Sequence, residues 1–267
     1  MTGRHSLTQA FVSAARRTPL SRGSARKLTL GIIERMHPEP VQTVFRNIPF
    51  LFHWDNTTER KALISDAYDR AELDFLKGFL STQPATFIDV GANSGLYSIF
   101  LAAHLCPGSR IVAIEPNPAM CRRIALNASL LGERGLAKNV AISIEQAALG
   151  AQEGEMHLDL SHGLGPARLS DEKTASGLSV PVKTLPGLCR EKGIERIDAV
   201  KIDVEGYEDR VLLPLLSAGK LHMLPRALVF ETVHWRKWRN DAIEACISAG
   251  YRSAGKTRSS IMMTLQR

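Results

Sequence analysis

Residues 86–98 read TFIDVGANSGLYS. The apolar run Phe87-Ile88-Asp89-Val90 meets Gly91, Asn93 and Gly95, and a helix-compatible apolar pattern follows at once. A strand that ends in an acid and two glycines before a helix is a turn built to hold something. Gly91 permits close backbone approach there, and Gly95 allows a tight entry into the helix.

Working outward, the pattern alternates. The strand at 86–91 leads to a helix at 95–105, strand 110–116 to helix 118–131, and strand 141–149 to an interrupted stretch at 150–185. That stretch carries turn residues at both ends and two short alternating runs, MHLDL and LSVPVKT, and reads as an inserted hairpin or lid. The rhythm resumes with a short helix at 186–192, strand 198–204, helix 206–218 and strand 226–233. A helix (DAIEACISAG) and a closing antiparallel hairpin end the chain. Val/Ile-rich strands separated by amphipathic helices predict a mostly parallel sheet covered on both faces. Upstream, 41–54 suggests one or two strands, and Thr57-Thr58 offers an N-cap for one helix running to Leu80.

Composition narrows the class. The chain has 267 residues, 44% hydrophobic and 23% charged, enough for a core without covalent staples. No apolar run approaches the ~18 residues of a membrane span. Cys106, Cys121, Cys189 and Cys246 form no CxxC pair, which argues against a zinc site or disulfide scaffold and fits the cytoplasm. The net charge of +7 is uneven: residues 1–40 hold seven Lys/Arg against Glu34 and Glu39, while 27 bases nearly balance 25 acids in the rest. Residues 1–55 therefore read as a basic N-terminal extension, a surface-lying tail or a contact for a membrane surface or other anionic partner, ahead of a domain at 56–267. The near-neutral core, without basic–aromatic interleaving, argues against a specific nucleic-acid role. Oligomeric state has no signature.

In such a sheet, ligands lie beyond the carboxyl ends of the strands. Asp89, Glu115, Asp203 and Glu231 fall at those ends. Asp89 puts negative charge in a loop where a pyrophosphate would want bare N–H groups. That suits an amine-bearing ligand such as S-adenosylmethionine, which carries an ammonium, a sulfonium and no phosphate. Glu115, in Glu115-Pro-Asn117-Pro, follows Gly95 by 20 residues, the spacing at which an acid accepts hydrogen bonds from a ribose diol. Asn117 also suits an N-cap. The fourth strand ends in Asp203-Val-Glu205-Gly-Tyr207, without the Asn-Pro-Pro-aromatic element of base-amine methylation.

The succession DVGANSGLYS, IEPNP, QAALG, VKTL and RIDAVKIDVEGYE, over roughly residues 85–235, resembles the FkbM-type family of S-adenosylmethionine-dependent methyltransferases. The resemblance implies a class I Rossmann-like methyltransferase fold with a seven-stranded sheet. It also implies methyl transfer to a hydroxyl on a sugar, glycan or secondary metabolite. Asp89, Gly91, Asn93 and Gly95 would then cradle the methionine part, with Tyr97 and Ser98 close by. Glu115 and Asn117 would hold the ribose and adenine side, Gln146 and Ala147 would border the adenine, and Asp203 would sit beside the sulfonium. Leu185-Pro186-Gly187 departs from the family's Leu-Asp-Asp/Glu, and an upstream Tyr-Glu element survives loosely as Tyr68 to Glu72.

An aliphatic hydroxyl is a poor nucleophile, so a positioned base would help by ~10²–10⁴-fold. Asp203, Glu205 and His234 are the candidates. Their bland alternatives are a helix cap, helix-dipole support and an ordinary imidazole. Trp235 and Trp238 could form a stacking wall or a packing pair, and His157 and His162 could line the lid. No metal is expected, because no dedicated ligand spacing occurs, although Asp203, Glu205 and Glu231 could converge. The rivals are a nicotinamide oxidoreductase, which wants GxGxxG, a non-catalytic methyltransferase-like binding domain, and a nucleic-acid methyltransferase on the same fold.

Overall fold

In a computed structural model, residues 2–21, 23–159, 168–170, 177–217 and 223–266 are described. The chain opens with helices α1 (Thr2–Arg16) and α2 (Gly23–Met36), then a hairpin of β1 (Val41–Phe45) and β2 (Ile48–Phe52). Helices α3 (Thr57–Leu63) and α4 (Arg70–Leu80) lead into β3 (Thr86–Val90), α5 (Leu96–Ala102), β4 (Arg110–Ile114), α6 (Pro118–Glu133) and β5 (Ala141–Glu145). The strands β6 (Ala148–Leu149), β7 (Gly154–Asp159), β8 (Arg168–Ser170) and β9 (Leu178–Lys183) make a small separate sheet. Then follow α7 (Leu185–Glu191), β10 (Ala199–Ile202), α8 (Glu208–Ser217), β11 (Ala227–Glu231), α9 (Ala242–Ser248), β12 (Tyr251–Lys256) and β13 (Ser260–Leu265).

The main sheet has seven strands in the order β12-β13-β11-β10-β3-β4-β5. β3, β4, β5, β10 and β11 run parallel, and β13 runs antiparallel to both neighbours. This is the class I methyltransferase arrangement, α/β and Rossmann-like. The central strands are buried because helices cover both faces: β3 reads intermediate then fully buried, and all of β10 is buried. The order reverses at β3, whose successor β4 lies on one side and β10 on the other. A crevice therefore opens between the carboxyl ends of β3 and β10.

Three expectations need correction. The extension is no loose tail: Val12, Leu30 and Ile33 are buried in the same cluster as Phe87 and Leu101, and the Arg16 guanidinium donates to the Leu63 carbonyl at 2.8 Å. The helix expected over 59–80 is two helices, and its cap is Asn56, whose Oδ1 accepts from the Glu59 N–H. The break spans residues 64–69 and ends at Asp69, in the left-handed region at φ 45°. The 150–185 insert does contain the antiparallel pair β7–β9, but β6, the end of the expected 141–149 strand, leaves the main sheet to pair with β9. No helix among the described residues is long and apolar enough to cross a membrane.

Candidate functional site

A cavity of about 390 Å³ lies over the carboxyl ends of β3, β4, β10 and β11, inside the ~300–1,000 Å³ range of small-molecule sites. The βα turn forms its floor. Gly91, at φ +70°, could not be any other residue without a collision, since a Cβ there would stand 1.9 Å from the Asp203 carbonyl oxygen. The close approach is real because the Gly91 and Ala92 N–H groups bond to the Ile114 carbonyl while the Asp203 N–H bonds to that of Val90. Three parallel strand ends are thereby laced together under the cavity.

Glu115 lines the cavity with both carboxylate oxygens already oriented. Oε1 accepts from the Asn117 N–H and Oε2 from the Asn93 N–H, each at 2.9 Å. Each oxygen keeps a second lone pair for a ligand hydroxyl. Burial pushes this carboxyl up to about 7, against the pull of those two N–H groups and Lys201. Asn93, at φ 52°, accepts from the Asn56 side chain at 2.5 Å, which pins the turn to the start of α3.

Several expected contact residues stand behind this lining instead. Asp89 is fully buried, and its Oδ2 accepts from the Ser98 N–H and hydroxyl at 3.2 and 2.7 Å. Asp89 and Ser98 therefore clamp the turn to α5. Gly95 is the left-handed residue just before α5, packed so that a Cβ would come 3.1 Å from Ile124. The Tyr97 hydroxyl donates to Asp69 at 3.0 Å. Asn117 caps α6 through the Ala119 N–H. Gln146 is exposed and outside the lining, while Ala147 is within it.

On the opposite rim, Asp203 and Glu205 line the cavity and His234 does not. His234 Nε2 stands 2.9 Å from Glu205 Oε2 and 4.0 Å from Glu231 Oε2. Glu205 takes a positive φ of 56°, so the chain has already turned out of β10 and brings its side chain back toward β11. One ligand atom from each of Glu205, Glu231 and His234 lies within 4.8 Å of the others. Glu231 Oε2 is buried without a hydrogen-bond partner, and burial, then the charges of Asp203, Glu205 and Glu208, push this carboxyl up to about 8. Glu208, in the first turn of α8, braces the turn that carries Asp203 and Glu205: its Oε1 accepts from the Val204 and Gly206 N–H groups. Trp238 is a packing residue against Phe230 that donates to Glu208, and Trp235 faces outward; neither lines the cavity. His157 sits half-buried in β7 outside the lining, and His162 lies outside the described residues.

One buried cation holds the centre together. Lys201, in β10, donates to the Gly91 carbonyl at 2.8 Å, lies 3.5 Å from Asp89 and 3.7 Å from Asp203, and sits over the Tyr97 ring at 5.2 Å. Burial opposes its charge, but Asp203, Asp89, Asp69 and Glu115 outweigh burial and raise its pKa. A lysine inside the otherwise apolar strand of DAVKIDV was the sequence signal for it. Tyr68, from the loosely matching upstream element, lines the cavity. Beside it Asp69, raised to about 6 by burial and then by Glu72, receives the Tyr97 hydroxyl.

Comparisons with known proteins identify the family. The methyltransferase FkbM domain matches residues 89–252. Methyltransferase sdnD of Sordaria araneosa is 26% identical over 192 residues, covering 62% of this chain and 68% of that protein. AMB antimetabolite synthetase AmbE of Pseudomonas aeruginosa is 26% identical over 200 residues, 61% of this chain but only 9% of that much longer protein. Among solved structures, the FkbM methyltransferase of Methylobacillus flagellatus KT aligns with a TM-score of 0.46 and 15% identity, over 78% of this chain and 52% of its own. The domain match spans more than half of the sequence, and the chain belongs to the FkbM-domain methyltransferase family.

Proposed function

We propose that the protein is an S-adenosylmethionine-dependent methyltransferase whose acceptor is a hydroxyl on a sugar, glycan or secondary metabolite. The observation that carries the cofactor reading is Glu115: a carboxylate at the end of β4, oriented by two backbone N–H groups and still open to the cavity. Such a group suits a ribose diol, and the acidic turn around it disfavours a pyrophosphate. At Gly91 the missing side chain lets the Asp203 carbonyl pack against the turn, which fixes the floor on which the ligand would rest. Bound there, the cofactor supplies an electrophilic methyl on a sulfonium.

Alignment is the main contribution, since well-placed reactants remove ~7–11 kcal/mol of barrier. Asp203 presents a carboxylate to the acceptor hydroxyl from the end of β10. Glu205 is the proton acceptor that reaches the cavity, and His234 is a positioning residue that holds it at 2.9 Å. The test is incubation with methyl-labelled S-adenosylmethionine and a panel of hydroxylated sugars and secondary metabolites, with product NMR locating the label. An O-methyl product is expected. Label transferred only to nitrogen or to nucleic acid would overturn the acceptor reading and leave the cofactor reading standing.

A further inference from the structure

The two N-terminal helices have an inner face that the fold explains and an outer face that it does not. Inward, α2 buries Thr29, Leu30 and Ile33. Outward, it exposes Leu28 (70%), Ile32 (40%) and Met36 (43%). These residues recur every four positions, which puts them on one stripe of the helix. Arg35 and Lys27, both exposed, lie within and beside that stripe. Leu7 and Leu20 add exposed apolar side chains in and just after α1. Five of the twelve exposed large apolar residues among the described residues thus fall between positions 7 and 36, about a tenth of the chain. Single exposed leucines need no explanation, but a cluster does.

The exposed charge around the stripe is mostly positive. Of the two acids in the first 40 residues, Glu34 is turned to Arg60 at 3.6 Å and Glu39 lies exposed beyond the end of α2. Arg16 is spent inward on Leu63 and Asp66, which leaves Arg17, Lys27 and Arg35 exposed. A second copy of this chain would bring the same positive charge to the interface and repel. An anionic bilayer answers both features, because headgroups neutralise the bases while the apolar stripe enters the headgroup–acyl boundary. At 14 residues α2 is too short to cross, so it would lie flat.

We infer that the outer face of α2, with Leu7 and Leu20 of the adjoining segment, docks the protein on an anionic membrane surface. The docking face is mechanically continuous with the catalytic cavity. Arg60 reaches Glu34 from α3, the Trp54 indole donates to the His37 carbonyl at 2.8 Å, and Arg16 holds Leu63. The segment so anchored carries Thr57, Thr58, Lys61 and Tyr68 of the cavity wall. A membrane-borne acceptor would therefore meet a wall already fixed to the docking helix.

The test is co-sedimentation of the 267-residue protein with phosphatidylcholine vesicles, alone or with about a third phosphatidylglycerol. Binding is expected on the mixed vesicles and at least ~10-fold weaker on the neutral ones, falling with added salt. Lys27→Glu with Arg35→Glu should weaken it ~25-fold or more, about five-fold for each charge lost. Leu28→Ser with Ile32→Ser should weaken it ~100-fold or more, and Leu126→Ser, an exposed leucine on α6, should leave it unchanged. All variants are surface substitutions, checked by circular dichroism and melting temperature. Absence of binding by the folded wild type would overturn the inference, as would binding indifferent to either double substitution. A dimer broken by Leu28→Ser, with no vesicle binding, would assign the face to a second copy instead.

Discussion

Replacing Lys201 by Met keeps the length of the side chain and removes the buried cation beneath the site. The ammonium donates to the Gly91 carbonyl at 2.8 Å and neutralises Asp89 and Asp203 at 3.5 and 3.7 Å. Asp89 is fully buried, and its Oδ1 has no hydrogen-bond donor to fall back on. Removing one partner of a buried pair costs about 3–5 kcal/mol, which for a chain of this size lowers the melting temperature by about 6–10 °C. The pH dependence has a definite sign. The lysine's folded pKa lies above its ordinary value, so its contribution is fully present below about pH 10 and is constant across the neutral range. What changes there is the set of carboxylates. In the variant Asp69, Glu115 and Glu231, each already raised by burial, lose the cation that holds them down and rise further, so ionising them costs more. The deficit relative to wild type should therefore be larger at about pH 8 than at about pH 5.5, where Glu115 is already protonated. Denaturant unfolding at both pH values measures this. A variant within about 1 kcal/mol of wild type at the higher pH, or a deficit that shrinks as pH rises, would refute the reasoning.

Gly91→Ala should be worse than its size suggests, because the added Cβ meets a backbone carbonyl at 1.9 Å in a left-handed conformation; a loss of several kcal/mol or failure to fold is expected, against ~1 kcal/mol for strain alone. S-adenosylhomocysteine affinity should rise with pH through about 7 as the Glu115 carboxyl ionises, and a Glu115→Gln variant, measured by the same titration, should be weak and flat across that range. Glu205→Gln should lower kcat ~10²–10⁴-fold with little change in cofactor affinity. His234→Ala should lower kcat less and shift its pH profile, because the imidazole touches Glu205 rather than the cavity.

The main sheet was legible because its strands are continuous apolar runs and its helices amphipathic, and the glycine turn and strand-end acids marked where ligand would lie. Burial was not legible. Asp89 and Asn117 look like contact residues in the sequence, yet each spends its side chain inside the protein, on Ser98 and on the α6 cap. The break between α3 and α4 was hidden because no Gly or Pro marks it; Asp69 adopts the left-handed conformation and is held there by Tyr97. The N-terminal helices were masked by Arg and Ser, since their buried face is narrow and partly built from small residues such as Ala15. Lys201 was in plain view as a charge in a buried strand, but its partners come from three other elements. The acceptor wall was the least legible part. Thr57, Lys61 and Tyr68 are distant in sequence from Asp203 and Glu205, and no local pattern joins them across the cavity.

The central claim is that S-adenosylmethionine binds at the carboxyl ends of β3 and β4 with Glu115 on its ribose. Calorimetric titration of the protein with S-adenosylhomocysteine, beside NADH, on wild type and Glu115→Ala tests it directly. Saturable binding of the first ligand alone is expected, weakened about 10-fold or more in the variant, as for a lost charge-assisted hydrogen bond. Equal binding of NADH, or wild-type affinity in Glu115→Ala, would contradict it.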